Sequence, residues 1–136
     1  WLFYFMDDAN VPSLLAQTYL GYEGDPEVTA NTRRFLLSEA NPYYYEGSAA
    51  SGIGSPHTPT SYIWHIALAV QGMTETDKEE KYRILKLMAD TDAGKGMMHE
   101  GFDKNDPSHY TREWFSWANA MYSEMVLNYL GYELAV

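Results

Sequence analysis

The 136-residue sequence lacks cysteine, is short of basic residues and has no long apolar run. Without thiols the chain cannot form a disulfide, a thiol nucleophile or a thiolate zinc site. Nine basic against nineteen acidic residues give a formal charge of -10, which repels phosphate backbones and anionic lipid headgroups. No window approaches the roughly 20 apolar residues of a membrane span. We therefore expect neither nucleic acid nor a membrane as partner.

The chain begins with an apolar run from Trp1 to Met6. This run is too short for the apolar part of a signal peptide and has no basic flank. It is typical of the interior of a structural element, so we expect a truncated gene product. The sequence leaves the compartment undetermined.

Aromatic residues are abundant: they make up 15% of the chain, with 12 tyrosines. Rings with a polar tip suit surfaces that hold a partly apolar, partly hydroxylated ligand. A sugar is such a ligand.

Five segments carry helical signals. Asp25 followed by Pro26 predicts a helix that runs to about Glu39. A second helix is predicted from Thr58-Pro59 to near Gly72, and a third begins with a cap at Thr76. The fourth candidate runs from Thr111 to Gly131, and a shorter fifth runs from Ser13 to Leu20. Strands are expected at most at Leu2–Phe5 or Tyr43–Tyr45. The sequence thus predicts an all-α fold of stacked helical hairpins.

Two long, glycine-rich connections separate these helices, at 41–57 and 92–110. Connections longer than about 12 residues in a compact domain are usually functional or disordered. Because both are rich in aromatic residues, histidine and carboxylates, we interpret them as functional.

The first candidate site segment, 6–12, contains Asp7, Asp8 and Asn10 before a proline. Acids are stabilised at the start of a helix, so Asp8 or Asn10 can simply cap one. The functional alternative is that these side chains accept hydrogen bonds from sugar hydroxyls. The residues alone leave both interpretations open.

The second segment, 52–59, places His57 and Thr58 after two glycines that let the backbone approach a ligand. No Gly-Lys-Ser/Thr follows, so it is not a phosphate-binding P-loop. A lone histidine is more often structural, and no partner stands at metal-ligand spacing.

The third segment, 90–102, places Glu100 beside His99 and among apolar neighbours. Such surroundings can desolvate a carboxylate and prepare it as a general acid or base. An ordinary loop glutamate is the alternative. Calcium is a weak hypothesis, because the acids do not match EF-hand positions.

The fourth segment, 110–119, combines Arg112 with Trp114 and Trp117. These side chains could form a stacking wall with a hydrogen-bonding fork. The alternative is that at least one of the two tryptophans belongs to the core.

Taken in order, these segments resemble glycoside hydrolase family 125, the metal-independent exo-α-mannosidases. The strings that carry the resemblance are 6–15 (MDDANVPSLL), 41–44 (NPYY), 52–59, 91–94 with 98–100 (TDAG, MHE) and 114–119 (WFSWAN). They span nearly the whole chain.

The resemblance implies an (α/α)6 barrel, of which residues 1–136 would form the incomplete C-terminal part. It implies inverting, metal- and cofactor-free hydrolysis of terminal, chiefly α-1,6-linked mannose. Glu100 would be the general base, and the acid, an aspartate, would lie in the missing N-terminal part of the barrel. The substrate-binding residues would be Asp7, Asp8, Asn10, His57, Thr58, His99, Arg112 and Trp114. Lys95 and Gly101, which flank Glu100, depart from the family pattern.

Two other functions stay open. The chain could bind mannosides through the same groove without turnover. It could also be a sugar epimerase on a similar helical toroid, with His57 and His99 as acid and base.

Overall fold

The computed structural model of the protein describes residues 5–132. Within that range the elements in chain order are α1 (Pro26–Leu36), β1 (Tyr44–Glu46), β2 (Ser51–Ile53), β3 (Tyr62–Trp64), α2 (His65–Met73), α3 (Lys78–Asp90), β4 (Gly101–Asp103), β5 (Tyr110–Thr111) and α4 (Ser116–Tyr129). The strands form two antiparallel sheets, β1-β2 and β3-β4-β5.

The all-α prediction is therefore wrong, and so is the (α/α)6 barrel that the resemblance implied. The fold is a small mixed domain of helices and short sheets. Each strand has two or three residues, too few to display the alternation by which a strand is recognised in a sequence. The expected strand near Tyr43–Tyr45 is present as β1, whereas the one at Leu2–Phe5 lies almost entirely outside the described residues.

Two helices begin where acidic caps place them. Asp25 accepts hydrogen bonds from the backbone N–H groups of Glu27 and Val28, so α1 begins as predicted. α3 is capped by Asp77 rather than by Thr76; the Asp77 carboxylate accepts from Glu79 N–H at 2.8 Å.

The other helical predictions need correction. α2 begins at His65, not after Pro59, because Tyr62–Trp64 pairs with β4 instead. α4 begins at Ser116, not after Thr111, because Thr111 belongs to β5 and pairs there with Gly101 of β4. The segment 13–20 forms turns rather than a helix.

The two sheets pack closely because glycine stands at their contact. A Cβ at Gly52 in β2 would lie 2.8 Å from the Ile63 Cγ2 atom in β3, and one at Gly54 would collide with the Tyr62 carbonyl oxygen. Only glycine fits both positions without a shift of the neighbouring sheet.

The core is built around α2. Every residue of α2 from His65 to Val70 is buried, as expected of a helix that is apolar on all sides. α2 packs against α3 and α4, and a Cβ at Gly72 would overlap the Met125 side chain of α4. Among residues 5–132, no helix has both the length and the apolar character needed to cross a bilayer.

Candidate active site

Glu100 immediately precedes β4, the middle strand of the three-stranded sheet. Its backbone N–H donates to the Thr111 carbonyl at 3.1 Å, and the next residue, Gly101, pairs with Trp64. The carboxylate is thus attached to the part of the sheet that lies against the core. Its side chain is 14% exposed, and its Oε2 atom lies 3.4 Å from Nε of Arg112.

Gly101, which departs from the family pattern, fits its surroundings here. A Cβ at this position would lie 2.9 Å from Cδ1 of the Trp64 ring, closer than side-chain atoms normally approach. A serine at this position would therefore push against Trp64. Lys95, the other departure, forms an ion pair at 3.2 Å with Glu113.

Arg112 lies beside Glu100 and is exposed, as is Trp114 two residues further along the chain. The Arg112 side chain is 66% exposed and its guanidinium lies 5.6 Å from the centre of the Phe115 ring. Trp114 is 67% exposed, while Trp117 is 39% exposed and contacts Phe115 at 6.2 Å. Neither tryptophan is a core residue, so the stacking surface fits better than core packing.

Arg112 adopts a backbone φ of 50°, in the left-handed region. This region is unfavourable for a residue with a long side chain and persists only where the surrounding structure imposes it.

His99 has no exposed surface. Its Nδ1 lies 2.6 Å from the Glu113 carbonyl oxygen and its Nε2 lies 3.1 Å from the Asp92 carbonyl oxygen. The Tyr110 ring stacks on the imidazole at 4.0 Å with 9° between the planes. Both polar atoms of the ring are therefore engaged within the protein.

His65 lies beside His99, with 5.7 Å between the ring centres. Its Nδ1 accepts from the His99 backbone N–H at 2.9 Å, and its Nε2 lies 3.1 Å from Oγ1 of Thr91. Burial lowers the pKa of His65 to about 3. His65 is thus a neutral core residue that supports the backbone of His99.

A second polar cluster forms around Ser55, which is buried. The Ser55 hydroxyl donates to Asp8 Oδ2 at 3.1 Å and accepts from Asn10 Nδ2 at 3.3 Å. Asn10 Nδ2 also donates to Asp8 at 2.8 Å. Asp8 and Asn10 therefore bind each other and Ser55, rather than capping a helix.

Asp7 has different hydrogen-bond partners from Asp8. Its carboxylate accepts from the Leu15 backbone N–H at 3.2 Å, and its backbone is held by Asn41, which accepts from Asp7 N–H at 3.3 Å and donates to the Asp7 carbonyl at 2.9 Å. Burial raises the pKa of the Asp7 carboxyl above its usual value, although hydrogen bonds from Leu15 and Leu14 oppose the rise. Asp7 thus belongs to the support of the segment as well as to its surface.

Thr58 connects the Ser55 cluster to the sheet. Its hydroxyl accepts from Trp64 Nε1 at 2.9 Å and donates to the Ser55 carbonyl at 3.3 Å. The exposed His57 ring lies 6.5 Å from the Trp64 ring, which contacts Gly101 beside Glu100. The segments 7–10, 55–58 and 100–101 therefore follow one another across one contiguous region.

The sequence did not predict the supporting role of three residues. Ser55 lay within the glycine-rich string, Asn41 appeared only as a helix stop, and Asn119 stood at the end of the WFSWAN string. Asn119 accepts from the Met98 N–H and donates to the Met98 carbonyl, both at 3.1 Å. A polar residue next to proline or inside a helix gives no local sign of such distant partners.

Away from Glu100, a cavity of about 570 Å³ lies between 14–33 and 74–76. The Arg33–Glu75 ion pair, 2.9 Å long, lines it. Across the described residues, no three His, Asp or Glu side chains are placed to hold a metal ion.

The region around Glu100 combines a partly buried carboxylate with an exposed arginine, and an exposed indole follows that arginine two residues later. The sequence model described as metal-independent α-mannosidase, GH125, matches residues 3–127. The chain belongs to this family of glycoside hydrolases.

Two relatives extend the comparison. The Meiotically up-regulated gene 157 protein of Schizosaccharomyces pombe is 47% identical over 128 residues, covering 93% of this chain and 25% of that protein. A metal-independent α-mannosidase from Streptococcus pneumoniae, solved as a non-productive substrate complex with α-1,6-mannobiose, is 56% identical with a TM-score of 0.92. That match covers 94% of this chain and 30% of the Streptococcus chain. The chain therefore spans less than a third of either relative.

Proposed function

We propose that this chain carries the general base of an inverting, metal-independent exo-α-mannosidase. Glu100 is that base, and the substrate is terminal mannose, chiefly α-1,6-linked. The observation that carries the proposal is the partly buried Glu100 carboxylate at the head of β4, which lies 3.4 Å from the Nε atom of the exposed Arg112. Membership of GH125 and the mannobiose bound by the Streptococcus relative support the substrate class.

The chemistry requires two carboxyl groups. Glu100 takes a proton from a water molecule as the water oxygen attacks the anomeric carbon, and an acid donates a proton to the departing glycosidic oxygen. In inverting enzymes the two groups stand roughly 6.5 to 9.5 Å apart, which leaves room for the water. We assign the acid to an aspartate in the remainder of a full-length family member, and the product is mannose with inverted anomeric configuration.

The same proposal assigns the sugar hydroxyls to the polar groups of the contiguous region that contains Glu100. Asp8 and Asn10 bind Ser55 at one side, and the exposed His57 and Arg112 supply further polar atoms. Trp114 offers an uncovered ring face on which a sugar can stack. Asp7 and Thr58 complete this set of groups. The Asp7 carboxylate holds the Leu15 backbone N–H, and the Thr58 hydroxyl holds the Ser55 carbonyl.

The deciding experiment measures free mannose released from α-1,6-mannobiose with a chelator present. It compares this chain alone with the chain joined to the N-terminal part of a GH125 relative. We expect only the joined protein to release mannose. NMR should show that the mannose is first released as the β-anomer, because hydrolysis inverts the α-linkage. Release by neither protein would contradict the hydrolase.

The epimerase alternative is less well supported, because His99 is buried and both of its ring nitrogens contact backbone carbonyls. An epimerase releases no free mannose from the disaccharide, so the same measurement separates the two. Sugar binding without turnover by the joined protein would favour the non-catalytic module.

A further inference from the structure

The imidazole of His99 makes two contacts that a neutral ring cannot both satisfy. Its two nitrogens face the carbonyl oxygens of Glu113 and Asp92, at 2.6 and 3.1 Å. A carbonyl oxygen only accepts hydrogen bonds, and a neutral imidazole donates from one nitrogen alone. Since the ring is fully buried, no solvent is available to replace the second contact. Both contacts are hydrogen bonds only when each nitrogen carries a proton.

The neighbouring ring, that of His65, is neutral. His65 Nδ1 accepts from the His99 backbone N–H at 2.9 Å, a shorter contact than the 3.2 Å between the same nitrogen and the His99 carbonyl oxygen. Nε2 then carries the proton and donates to Thr91 Oγ1, whose own hydroxyl proton goes to the Leu87 carbonyl at 2.8 Å. His65 is therefore neutral, and the two adjacent rings share only one positive charge.

The groups around His99 suit that charge. The Tyr110 ring covers one face of the imidazole at 4.0 Å, and aromatic faces attract cations. The Tyr110 hydroxyl donates to Glu113 Oε2 at 2.8 Å, and Lys95 lies 3.2 Å from the same oxygen. Asp92, whose carbonyl oxygen faces Nε2, is acidic, and the adjacent His65 is neutral.

The two carbonyls belong to segments that lead from His99 to Arg112 and to Glu100. Glu113 directly follows Arg112, the residue with the left-handed backbone, and Arg112 Nε lies 3.4 Å from Glu100 Oε2. Asp92 begins the turn that leads back to 98–100, which precedes β4. We propose that His99, protonated on both ring nitrogens, is a positioning residue that fixes these two carbonyls and thereby holds Arg112 against Glu100.

This proposal reassigns His99 from sugar binding to the support of Glu100, and only its catalytic consequence rests on the proposed function. Its structural part can be tested on the 136-residue chain without any turnover. NMR of chain labelled with 15N-histidine, at neutral pH, resolves four imidazole rings. Gln variants at 57, 65, 99 and 109 assign them.

We expect His99 to show two protonated nitrogens and His65 to show one. An unprotonated nitrogen on His99 would overturn the proposal. The link to Arg112 is read from its Nε–H signal in a second sample, labelled with 15N-arginine and assigned with Arg112→Lys. Glu100→Gln should shift this signal, and His99→Gln should shift it in the same direction. The matched control is His109→Gln, an exposed histidine paired with Asp106 at 3.7 Å, which should leave the signal in place. An unmoved signal in His99→Gln would also overturn the proposal.

The catalytic consequence is measured in the joined protein. Because small displacements of a catalytic group are costly to the rate but not to binding, we expect His99→Gln to lower kcat about tenfold to a hundredfold and to leave KM within about twofold. Equal kcat in His99→Gln and His109→Gln would reject the positioning role. If the unsubstituted joined protein releases no mannose, the proposed function fails, and the NMR measurements still decide the state of His99.

Discussion

Glu100 and Asp8 are held in place by two different kinds of structure. Glu100 stands at the head of β4, whose next residues include the fully buried Phe102, and β4 lies between two other strands. Asp8 belongs to a segment without helix or strand, and it is held by hydrogen bonds from Ser55 and Asn10. A backbone hydrogen bond from Ala9 N–H to the Gly54 carbonyl, at 2.9 Å, ties this segment to the residue that follows β2.

The difference matches what each residue is proposed to do. A general base tolerates little displacement, because a shift of about 1 Å can cost a hundredfold in rate. Packing in the core prevents such a shift. A sugar-holding wall needs correctly placed polar atoms, and a network of side-chain hydrogen bonds supplies them at low cost to the fold. Substitutions in the two regions should therefore fail in different ways.

The largest effect is expected at Glu100 itself. Glu100→Gln keeps the shape of the side chain but cannot accept the proton from water, so mannose release by the joined protein should fall by about 10² to 10⁴-fold. Mannoside binding, measured by calorimetry, should survive. Glu39→Gln, on an exposed glutamate after α1, should hydrolyse at the unsubstituted rate. Unchanged hydrolysis in Glu100→Gln would remove the base from the proposal.

Truncation of the core beneath Glu100 should cost stability. Phe102→Ala removes a fully buried ring and should lower the free energy of unfolding by about 3–5 kcal/mol. Urea denaturation of the chain measures it. Val28→Ala, on the exposed side of α1, should change it by less than about 0.5 kcal/mol. A small effect at Phe102 would mean that the sheet is not the support of Glu100.

The buried His65 should make stability depend on pH. Its pKa is lowered to about 3 in the folded chain, whereas an unfolded histidine takes a proton near pH 6.5. The lowered value means that this stabilisation is complete above pH 6.5 and is lost as the pH falls toward 3.

The measurement for His65 compares urea denaturation at pH 7 and pH 5. Over that interval the unsubstituted chain should lose about 2 kcal/mol more stability than His65→Gln. The comparison of the two slopes removes the contributions of carboxylates and of the other histidines. Parallel pH profiles would show that His65 does not stay neutral in the folded chain.

Several features of the site could be read from the sequence, and others could not. The order of the short strings predicted the family and singled out Glu100, because those strings are local. Asp25 with Pro26 predicted the start of α1 for the same reason. The burial of His99 was hidden, since its ring contacts the carbonyls of Asp92 and Glu113, seven and fourteen residues away.

Four of the five strands, β2 to β5, were missed for a related reason. Tyr62, Ile63 and Trp64 have apolar spacing that suits the first turn of a helix as well as a short strand. Pairing with 101–103 decides between them, and that pairing joins segments nearly forty residues apart. The helix prediction therefore failed where a tertiary contact overrode a local preference.

The smallest effect on stability is expected at Ser55, and it tests the Asp8 region most directly. Ser55→Ala removes a donor to Asp8 and an acceptor from Asn10 and the His57 N–H, and should cost about 0.5–1.5 kcal/mol of unfolding free energy. Because Asp8 and Asn10 lose their common partner, mannoside binding by the joined protein should weaken much more than folding does. Ser123→Ala, at an exposed position of α4, should alter neither quantity. Loss of several kcal/mol of stability with unchanged sugar affinity would reverse the contrast, and would make the segment 7–10 part of the structural core rather than of the binding wall.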